Sequence, residues 1–285
     1  MLNVARNKLQ MILGSNECNV CASVFDPLSS RMAESIGFSV GILGGSISSL
    51  MQLGLPDISL LTLSELADHA RRVCQASTLP VIVDGDSGYG NALNVTRLIQ
   101  ELEFAGASGI TIEDTVLPRP HGLENSLASL AEASSKLKAA LDARKDESLA
   151  VIARTPADLS QPLDSILERV DCYTQTGVDA ICAFGLSNPE TLAAIKKVTP
   201  LPLMIISYGD NQLGSPEVLA AQGVRVHMRG HTPFENAIST VYQSLVDTFN
   251  EQSGSASVSH PTSKRIISNF SHQAHFDELS QTYEI

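Results

Sequence analysis

Four acidic side chains follow predicted strands in the first half of the chain and form its strongest chemical pattern. Asp84 and Asp86 end one strand, Glu113 ends the next, and Asp57 lies in the loop after an earlier strand. Carboxylates gathered without a nearby lysine repel one another unless a divalent cation lies between them. Oxygen ligands alone favour Mg²⁺ or Mn²⁺ over zinc. The pattern predicts a magnesium site, although a single Asp of this kind more often forms a turn or caps a helix.

Polar groups of other kinds stand at the ends of other predicted strands. Arg154 ends an apolar strand, where it would clamp a carboxylate through two hydrogen bonds or pair with one of the acidic residues. Gly45 and Ser46 follow a strand, and their backbone N–H groups would hold a carboxylate, although a plain strand-to-helix turn uses the same residues. Tyr208 and His231 follow the last two strands, where each would polarise a carbonyl or move a proton.

Two common mechanisms have no candidate residues in this chain. All seven lysines lie in predicted helices, loops or the tail, so a Schiff-base mechanism lacks a lysine inside a strand. The chain also has no G-x-S-x-G nucleophile motif. The remaining candidates favour chemistry directed by a metal ion and by hydrogen bonds.

Short apolar segments alternate with helical patterns at intervals of roughly 25 to 40 residues, the length of repeated strand–helix units. We predict strands at residues 21–26, 38–44, 80–84, 109–114, 150–154, 180–185, 203–207 and 224–228. Their continuous apolar character requires cover on both faces of the sheet. The pattern predicts an α/β protein with a closed (β/α)8 TIM-type barrel and a site at the carboxyl ends of the strands. A doubly wound sheet is the alternative, but the glycine-rich phosphate turn that it needs after the first strand is absent.

The charge and hydropathy of the chain limit its partners. The formal net charge is −12, so nucleic acid is not expected to bind. An anionic substrate would need a metal, an arginine or backbone N–H groups to hold it. No segment approaches the roughly 20 apolar residues of a membrane span, and the N-terminus has no secretory signal pattern. We therefore expect a cytoplasmic protein without a membrane partner.

The five cysteines include a C-x-x-C pair, Cys18 and Cys21, which is typical of half a zinc site or of a redox motif. The surrounding sequence resembles the start of a buried strand, and no second pair completes a metal site. We interpret both as buried thiols, and free thiols without a disulfide framework favour a reducing compartment.

The chain changes character near residue 251. We predict a barrel domain over residues 1–251 and a flexible Ser-rich linker over residues 252–265. The tail at residues 266–285 is mildly amphipathic. It either docks as a helix on a neighbouring subunit or is disordered.

The stretch Asp84-Gly85-Asp86-Ser87-Gly88-Tyr89-Gly90-Asn91, followed by Glu113-Asp114 and Ala153-Arg154-Thr155, resembles the isocitrate lyase/phosphoenolpyruvate mutase superfamily. The D-x-D-x-G-Y-G-N pattern is highly specific to that superfamily. The resemblance covers about residues 18–245 and is closest to the oxaloacetate decarboxylase branch, on residues 23–27, 41–46 and 230–231.

The resemblance implies a role for each matching position. Asp84 would ligate Mg²⁺ directly, and the waters around the ion would be held by Asp57, Asp86 and Glu113. The positions implied for the substrate are Gly45, Ser46, Arg154 and His231, with Tyr208 nearby. The superfamily also implies a homotetramer, often with the last helix exchanged between subunits.

The predicted activity is Mg-dependent decarboxylation of oxaloacetate, a small 2-keto dicarboxylic acid, to pyruvate and CO₂ through a metal-stabilised enolate. The protein would then be a carboxy-lyase. Residues 117–125 lack the K-K-C-G-H motif of the lyases, which disfavours isocitrate and methylisocitrate cleavage. Pro156 and Ser87 also depart from the family pattern. The alternatives are a methylisocitrate lyase-like or phosphonopyruvate hydrolase-like enzyme, or a degenerate, non-catalytic metabolite binder.

Overall fold

The computed structural model describes residues 2–119, 126–158, 160–209, 213–250, 261–270 and 272–283. The chain divides into two compact units, Met1–His231 and Thr232–Ile285. The first unit holds every predicted site residue.

Eight parallel strands close into a barrel in chain order. They are β1 (Asn19–Ser23), β2 (Gly41–Leu43), β3 (Val81–Asp84), β4 (Gly109–Glu113), β5 (Ala150–Pro156), β6 (Ala180–Phe184), β7 (Leu203–Ser207) and β8 (Val224–Arg229). β8 pairs with β1, so the sheet has no free edge. The predicted (β/α)8 TIM-type barrel is confirmed.

In the first unit, helices cover the barrel, and all but the first, which precedes β1, connect consecutive strands. They are α1 (Leu2–Leu13), α2 (Pro27–Ile36), α3 (Gly45–Leu53), α4 (Leu63–Cys74), α5 (Ala92–Ala105), α6 (Leu130–Ala143), α7 (Leu163–Thr174), α8 (Pro189–Val198) and α9 (Pro216–Ala221).

Two strands are shorter than predicted because residues expected at their ends form hydrogen bonds with the ends of the neighbouring helix α2. Asp26 caps α2 by accepting a hydrogen bond from the Ser29 backbone N–H at 2.6 Å, so β1 ends at Ser23. Phe38 donates its backbone N–H to Ala33 at the other end of α2, so β2 begins only at Gly41.

The alternation of side chains along the strands creates two apolar layers. Inward-facing residues such as Ile42, Ile82 and Ile152 fill the barrel, and Leu9 of α1 packs with them. A Cβ on Gly109, at the start of β4, would lie 2.9 Å from Leu9, so α1 covers the amino ends of the strands. The polar site residues stand at the opposite, carboxyl ends.

The five cysteine thiols are all free. Cys21 is buried in β1, and burial raises the pKa of its thiol, while Cys18 is half-buried. Cys21 is therefore the buried thiol that the sequence indicates, whereas Cys18, which precedes the first residue of β1, is only partly buried.

The second unit contains α10 (Thr232–Asn250), α11 (Pro261–Phe270) and α12 (Gln273–Tyr283). Most of the predicted linker, residues 252–265, lies outside the described residues, and α11 begins within that range. One series of large apolar side chains on α10 is exposed, namely Ile238, Val241, Tyr242, Leu245 and Phe249. Among the described residues, no helix combines the length and apolar character needed to cross a membrane.

Candidate active site

Strand pairing brings Asp84, Glu113 and Arg154 together at the carboxyl ends of three adjacent strands. Asp84 of β3 lies beside Thr111 of β4, and Glu113 lies beside Arg154 of β5. Arg154 Nη1 lies 2.7 Å from Asp84 Oδ2, and its Nη2 lies 2.9 Å from Glu113 Oε2. The guanidinium thus pairs with two of the predicted metal-site carboxylates. Such pairing with acidic residues of the chain was one of the two roles that the sequence allowed for Arg154.

The electrostatics of this group depend on burial and on the short ion pairs. Burial raises the pKa of Asp84, but Arg154 outweighs it and holds that pKa below its usual value. Burial and the neighbouring Asp84 and Glu113 carboxylates raise the pKa of Asp86 well above normal. Burial also raises the pKa of Glu113. Arg154 alone therefore leaves the acidic cluster incompletely neutralised, which favours binding of a further cation.

The loop after β3 adopts an unusual backbone to present Asp86. Asp86 and Tyr89 have φ values of 48° and 59°, which side-chain-bearing residues rarely adopt, and Gly88 and Gly90 also have positive φ. The Glu113 backbone N–H donates to the Asp86 carbonyl at 2.8 Å, and the Asp86 N–H donates to Asp84 Oδ1 at 3.2 Å. These bonds fix the two aspartates relative to β4.

Gly44, Gly45 and Ser46 form the start of α3 next to these carboxylates. The Gly45 N–H points to Asp84 Oδ2 at 3.4 Å. A Cβ on Gly45 would lie 2.6 Å from Asp86 Oδ1, so only glycine permits this approach. The turn therefore lies against the acidic cluster.

His231 packs over the same turn. Its Nδ1 lies 2.8 Å from the hydroxyl of Ser23, at the end of β1. A Cβ on Gly44 would lie 2.9 Å from His231 Nε2 and 3.7 Å from the Ser46 hydroxyl. Ser23, which sequence reasoning did not select, thus orients the predicted catalytic histidine.

An aromatic pair links Arg154 to Tyr208. The Phe184 ring lies 4.3 Å below the Arg154 guanidinium carbon, and its centroid lies 5.8 Å from that of Tyr208 in an edge-to-face arrangement. Tyr208 is half-exposed at the barrel mouth. Phe184 was not among the sequence candidates because its side chain is apolar. Its position at the end of β6 could have indicated it.

A cavity of about 570 Å³ opens beside this group. Asp57, Asp86, Glu113 and Arg154 line it, and Asp57 stands at its rim. Partial burial and the Asp84 carboxylate raise the pKa of Asp57. Gly45, Ser46, Tyr208 and His231 are not among the lining residues. Gly45 lies against Asp86 and Tyr208 against Phe184, and both Asp86 and Phe184 line the cavity. Residues 120–125 of the loop after β4 lie outside the described residues.

The acidic cluster fits a magnesium ion better than a metal held entirely by side chains. Within the described ranges, no three His, Cys, Asp or Glu side chains are arranged to ligate one ion. Mg²⁺ keeps several of its waters and needs only one or two direct carboxylates. An arrangement with Asp84 as the direct ligand and with Asp57, Asp86 and Glu113 around the waters would use oxygen ligands only. Asp84, Asp86 and Glu113 are largely buried and repel one another, and Asp57 stands at the rim.

The fold and the site together define an α/β-barrel protein with a cluster of acidic side chains at the carboxyl ends of its strands. Residues 9–249 match the phosphoenolpyruvate phosphomutase family, and the chain belongs to that family. The family predicted from the motif is thus confirmed.

Relatives from Chromohalobacter salexigens and Pseudomonas fluorescens, both named oxaloacetate decarboxylase, are 46% identical over 241 residues. The match covers 84% of this chain and 84% and 83% of theirs, respectively. A solved phosphoenolpyruvate phosphomutase from Streptomyces platensis subsp. rosaceus is 26% identical, with a TM-score of 0.84 and coverage of 98% and 99% of the two chains. A phosphonopyruvate hydrolase solved with oxalate and Mg²⁺ is 24% identical, with a TM-score of 0.85 and 99% coverage of each chain, and supports the fold.

Proposed function

We propose that this protein is a Mg-dependent carboxy-lyase that converts oxaloacetate to pyruvate and CO₂. The observation that carries the proposal is the buried Asp84–Arg154–Glu113 arrangement beside a cavity of about 570 Å³ at the barrel mouth. It combines an acidic centre for a cation with an arginine for a carboxylate. The relatives named oxaloacetate decarboxylase support the choice of substrate.

The reaction breaks the C3–C4 bond of oxaloacetate. The C4 carboxylate leaves as CO₂, and the bonding electron pair passes to the C2 carbonyl to form the enolate of pyruvate. A proton then adds to C3 to give pyruvate. The site must therefore hold two carboxylates, stabilise a developing oxyanion and deliver one proton.

The residues at the mouth meet these needs in distinct ways. Arg154 binds a substrate carboxylate through its guanidinium, and the Gly45 and Ser46 turn holds the other carboxylate. His231, oriented by Ser23, donates a hydrogen bond to the substrate. Tyr208 supplies the proton to C3 from its phenol, whose pKa is raised by partial burial, and the resulting phenolate recovers a proton from water.

Asp84 would hold Mg²⁺, and Asp57, Asp86 and Glu113 would hold its waters. When bound there, the ion would supply electrostatic stabilisation to the negative charge that develops on the enolate. An acidic site needs such a cation before it can accept a dianion, because its carboxylates otherwise repel the substrate.

The test is oxaloacetate consumption by the purified protein with Mg²⁺, with EDTA, and with Asp84→Ala, each corrected for metal-catalysed decay. We expect consumption that EDTA abolishes and that the Asp84→Ala variant lacks. Asp142→Ala, an exposed position on α6, is the matched control and should behave like the wild type. Oxaloacetate loss no faster than the background would refute the proposal.

The remaining candidates are distinguished in the same assay. Phosphonopyruvate and methylisocitrate serve as alternative substrates for the phosphonate-processing and carbon–carbon lyase activities. Turnover of either one with no turnover of oxaloacetate would reassign the substrate. Binding of keto acids without turnover of any would indicate a non-catalytic metabolite binder.

We also propose a homotetramer in which the C-terminal helix is exchanged between subunits, in a reducing compartment such as the cytoplasm. The exposed apolar series on α10, including Val241 and Leu245, supports burial against another subunit. The five free thiols support the compartment. Light scattering coupled to size exclusion should give four times the chain mass of 30.4 kDa, and a monomeric mass would contradict the assembly.

A further inference from the structure

Lys136 of α6 is a buried cation on the outside of the barrel, behind the acidic cluster. Only 5% of the residue is exposed, and its Nζ donates to the Ser87 carbonyl at 3.1 Å. Its ion pair with Glu132 is long, at 3.6 Å, and the Glu132 side chain is 53% exposed, so solvent weakens that pair. Burying an ammonium group costs free energy unless hydrogen bonds or ion pairs replace its lost hydration. For Lys136, the bond to the Ser87 carbonyl is the main replacement.

The Ser87 carbonyl belongs to the strained loop that presents Asp86. On the barrel side, β4 holds this loop through the bonds from the Gly85 N–H to Thr111 and from the Glu113 N–H to Asp86. Lys136 holds the same loop from the helical layer. Residues with side chains keep a left-handed backbone conformation only when the surrounding structure fixes it. In this loop, hydrogen bonds from β4 on one side and from Lys136 on the other do so.

Asp114 lies next to Lys136 across a very small cavity. The cavity measures about 10 Å³, close to the room one water needs, and Asp114, Lys136 and Tyr173 line it. Asp114 Oδ2 accepts bonds from Thr155 at 2.8 Å, Tyr173 at 2.6 Å and Arg169 at 3.0 Å. Its buried Oδ1 has no partner within the described part of the chain. An ammonium and a carboxylate therefore share one enclosed space.

Asp114 is itself tied to the ends of the loop after β4. Its carbonyl accepts the Ala128 N–H at 2.7 Å, and Arg169 donates to the Ala128 carbonyl at 3.0 Å. The Asp114 N–H lies 3.3 Å from the Arg154 carbonyl. Asp114 is thus a carboxylate fixed between β4 and β5 that faces the same small cavity as Lys136.

We propose that Lys136 is a positioning residue for the acidic cluster, with Asp114 across the small cavity as its counter-charge. It fixes the Ser87 carbonyl and thereby the loop that places Asp86 beside Asp84. The inference rests on the proposed cation site, because the position of Asp86 matters only if the cluster holds an ion. Groups that orient a metal site in this way typically change metal affinity by about 10- to 100-fold.

The experiment measures Mn²⁺ binding to the full-length protein by electron paramagnetic resonance of the free ion, without substrate. We expect Lys136→Met to weaken Mn²⁺ binding about 10-fold or more, and Lys136→Arg to restore most of it. Lys138→Met, at an exposed position of the same helix, should bind like the wild type. A purely structural role would lower the melting temperature of Lys136→Met and leave its Mn²⁺ affinity unchanged, and that result overturns the proposal.

Asp114→Asn tests the second half of the inference and remains available if Lys136→Met does not fold. We expect weaker Mn²⁺ binding in Asp114→Asn, and, where Lys136→Met folds, a smaller loss in the double variant than the sum of the two single losses. Unchanged affinity in Asp114→Asn overturns the role of Asp114. If the wild type itself binds no Mn²⁺, the proposed cation site fails and this inference fails with it. Binding by the wild type and equal binding by the Lys136 variants overturns this inference alone.

Discussion

Arg154 Nη1 donates to Asp84 Oδ2 across 2.7 Å, so the candidate substrate clamp and the candidate metal ligand are already paired. The second guanidinium nitrogen bonds Glu113 at 2.9 Å. Burial alone would lower the pKa of Arg154, but the two carboxylates raise it above its usual value. The guanidinium therefore stays charged. It would contact both the Asp84 carboxylate that holds a cation and a substrate carboxylate bound at the barrel mouth.

Arg154→Lys should lower kcat/KM for oxaloacetate by at least about 100-fold, since one ammonium cannot span both carboxylates and also bind the substrate. Steady-state kinetics with Mg²⁺ would measure the effect. Arg97→Lys, on the exposed face of α5 beside Glu101, is the control and should leave kcat/KM unchanged. Near-normal kcat/KM in Arg154→Lys would remove Arg154 from the catalytic group.

Gly44→Ala should disable His231 without unfolding the protein. Gly44 has a φ of −76°, which alanine adopts easily, but the new Cβ would lie 2.8 Å from His231 Cε1. The ring must move away from Ser23, and we expect kcat to fall about 100-fold with little change in melting temperature. Gly14→Ala, whose Cβ would meet nothing closer than 3.4 Å, is the steric control. Full activity in Gly44→Ala would show that the position of His231 does not matter.

Phe184→Leu should reduce activity through Arg154 and Tyr208, which both contact the ring. A desolvated cation–π contact contributes up to about 2 kcal/mol, so we expect kcat/KM to fall about 10-fold. The comparison variant is Phe104→Leu, in which the replaced ring is 75% exposed and far from any described contact with the site. Equal kcat/KM in the two variants would argue against a role for Phe184.

His227 should make the fold sensitive to acid. Its Nε2 lies 2.8 Å from the Ser207 hydroxyl, and burial, then Arg229, lowers its pKa to about 4 from the usual 6.5. Between about pH 6.5 and pH 4, His227 binds a proton in the unfolded chain but stays neutral in the native state. The free energy of unfolding should therefore fall as the pH drops through this range.

Urea unfolding at pH 7 and pH 5 would measure this dependence. His227→Gln should reduce the difference between the two pH values, because it removes the titrating group. His275→Gln, at an exposed position in the second unit, should retain the wild-type difference. An unchanged difference in His227→Gln would assign the acid sensitivity to other groups.

The sequence by itself determined the barrel and most of the residues at its mouth. Apolar strands and the helical patterns between them are local patterns, and the repeated strand–helix unit leaves few topologies that cover both faces of the sheet. Asp84, Glu113 and Arg154 were predictable for the same reason, since strand order places consecutive strand ends side by side. Strand ends were less predictable where residues serve a helix cap, as Asp26 does.

Only the tertiary structure decided how these residues pair and what supports them. The sequence left open whether Arg154 pairs with a substrate carboxylate or with an acidic residue of the chain. The closed barrel places it between Asp84 and Glu113. Phe184 and Lys136 support the site from elements distant in sequence, and no motif marks either of them. Ser23 lies in a stretch that carries the family resemblance, but nothing in the sequence marks it as a partner of His231. Their roles depend on distances of a few ångströms between side chains on different strands and helices, and such distances are set by packing of the whole barrel, not by local sequence.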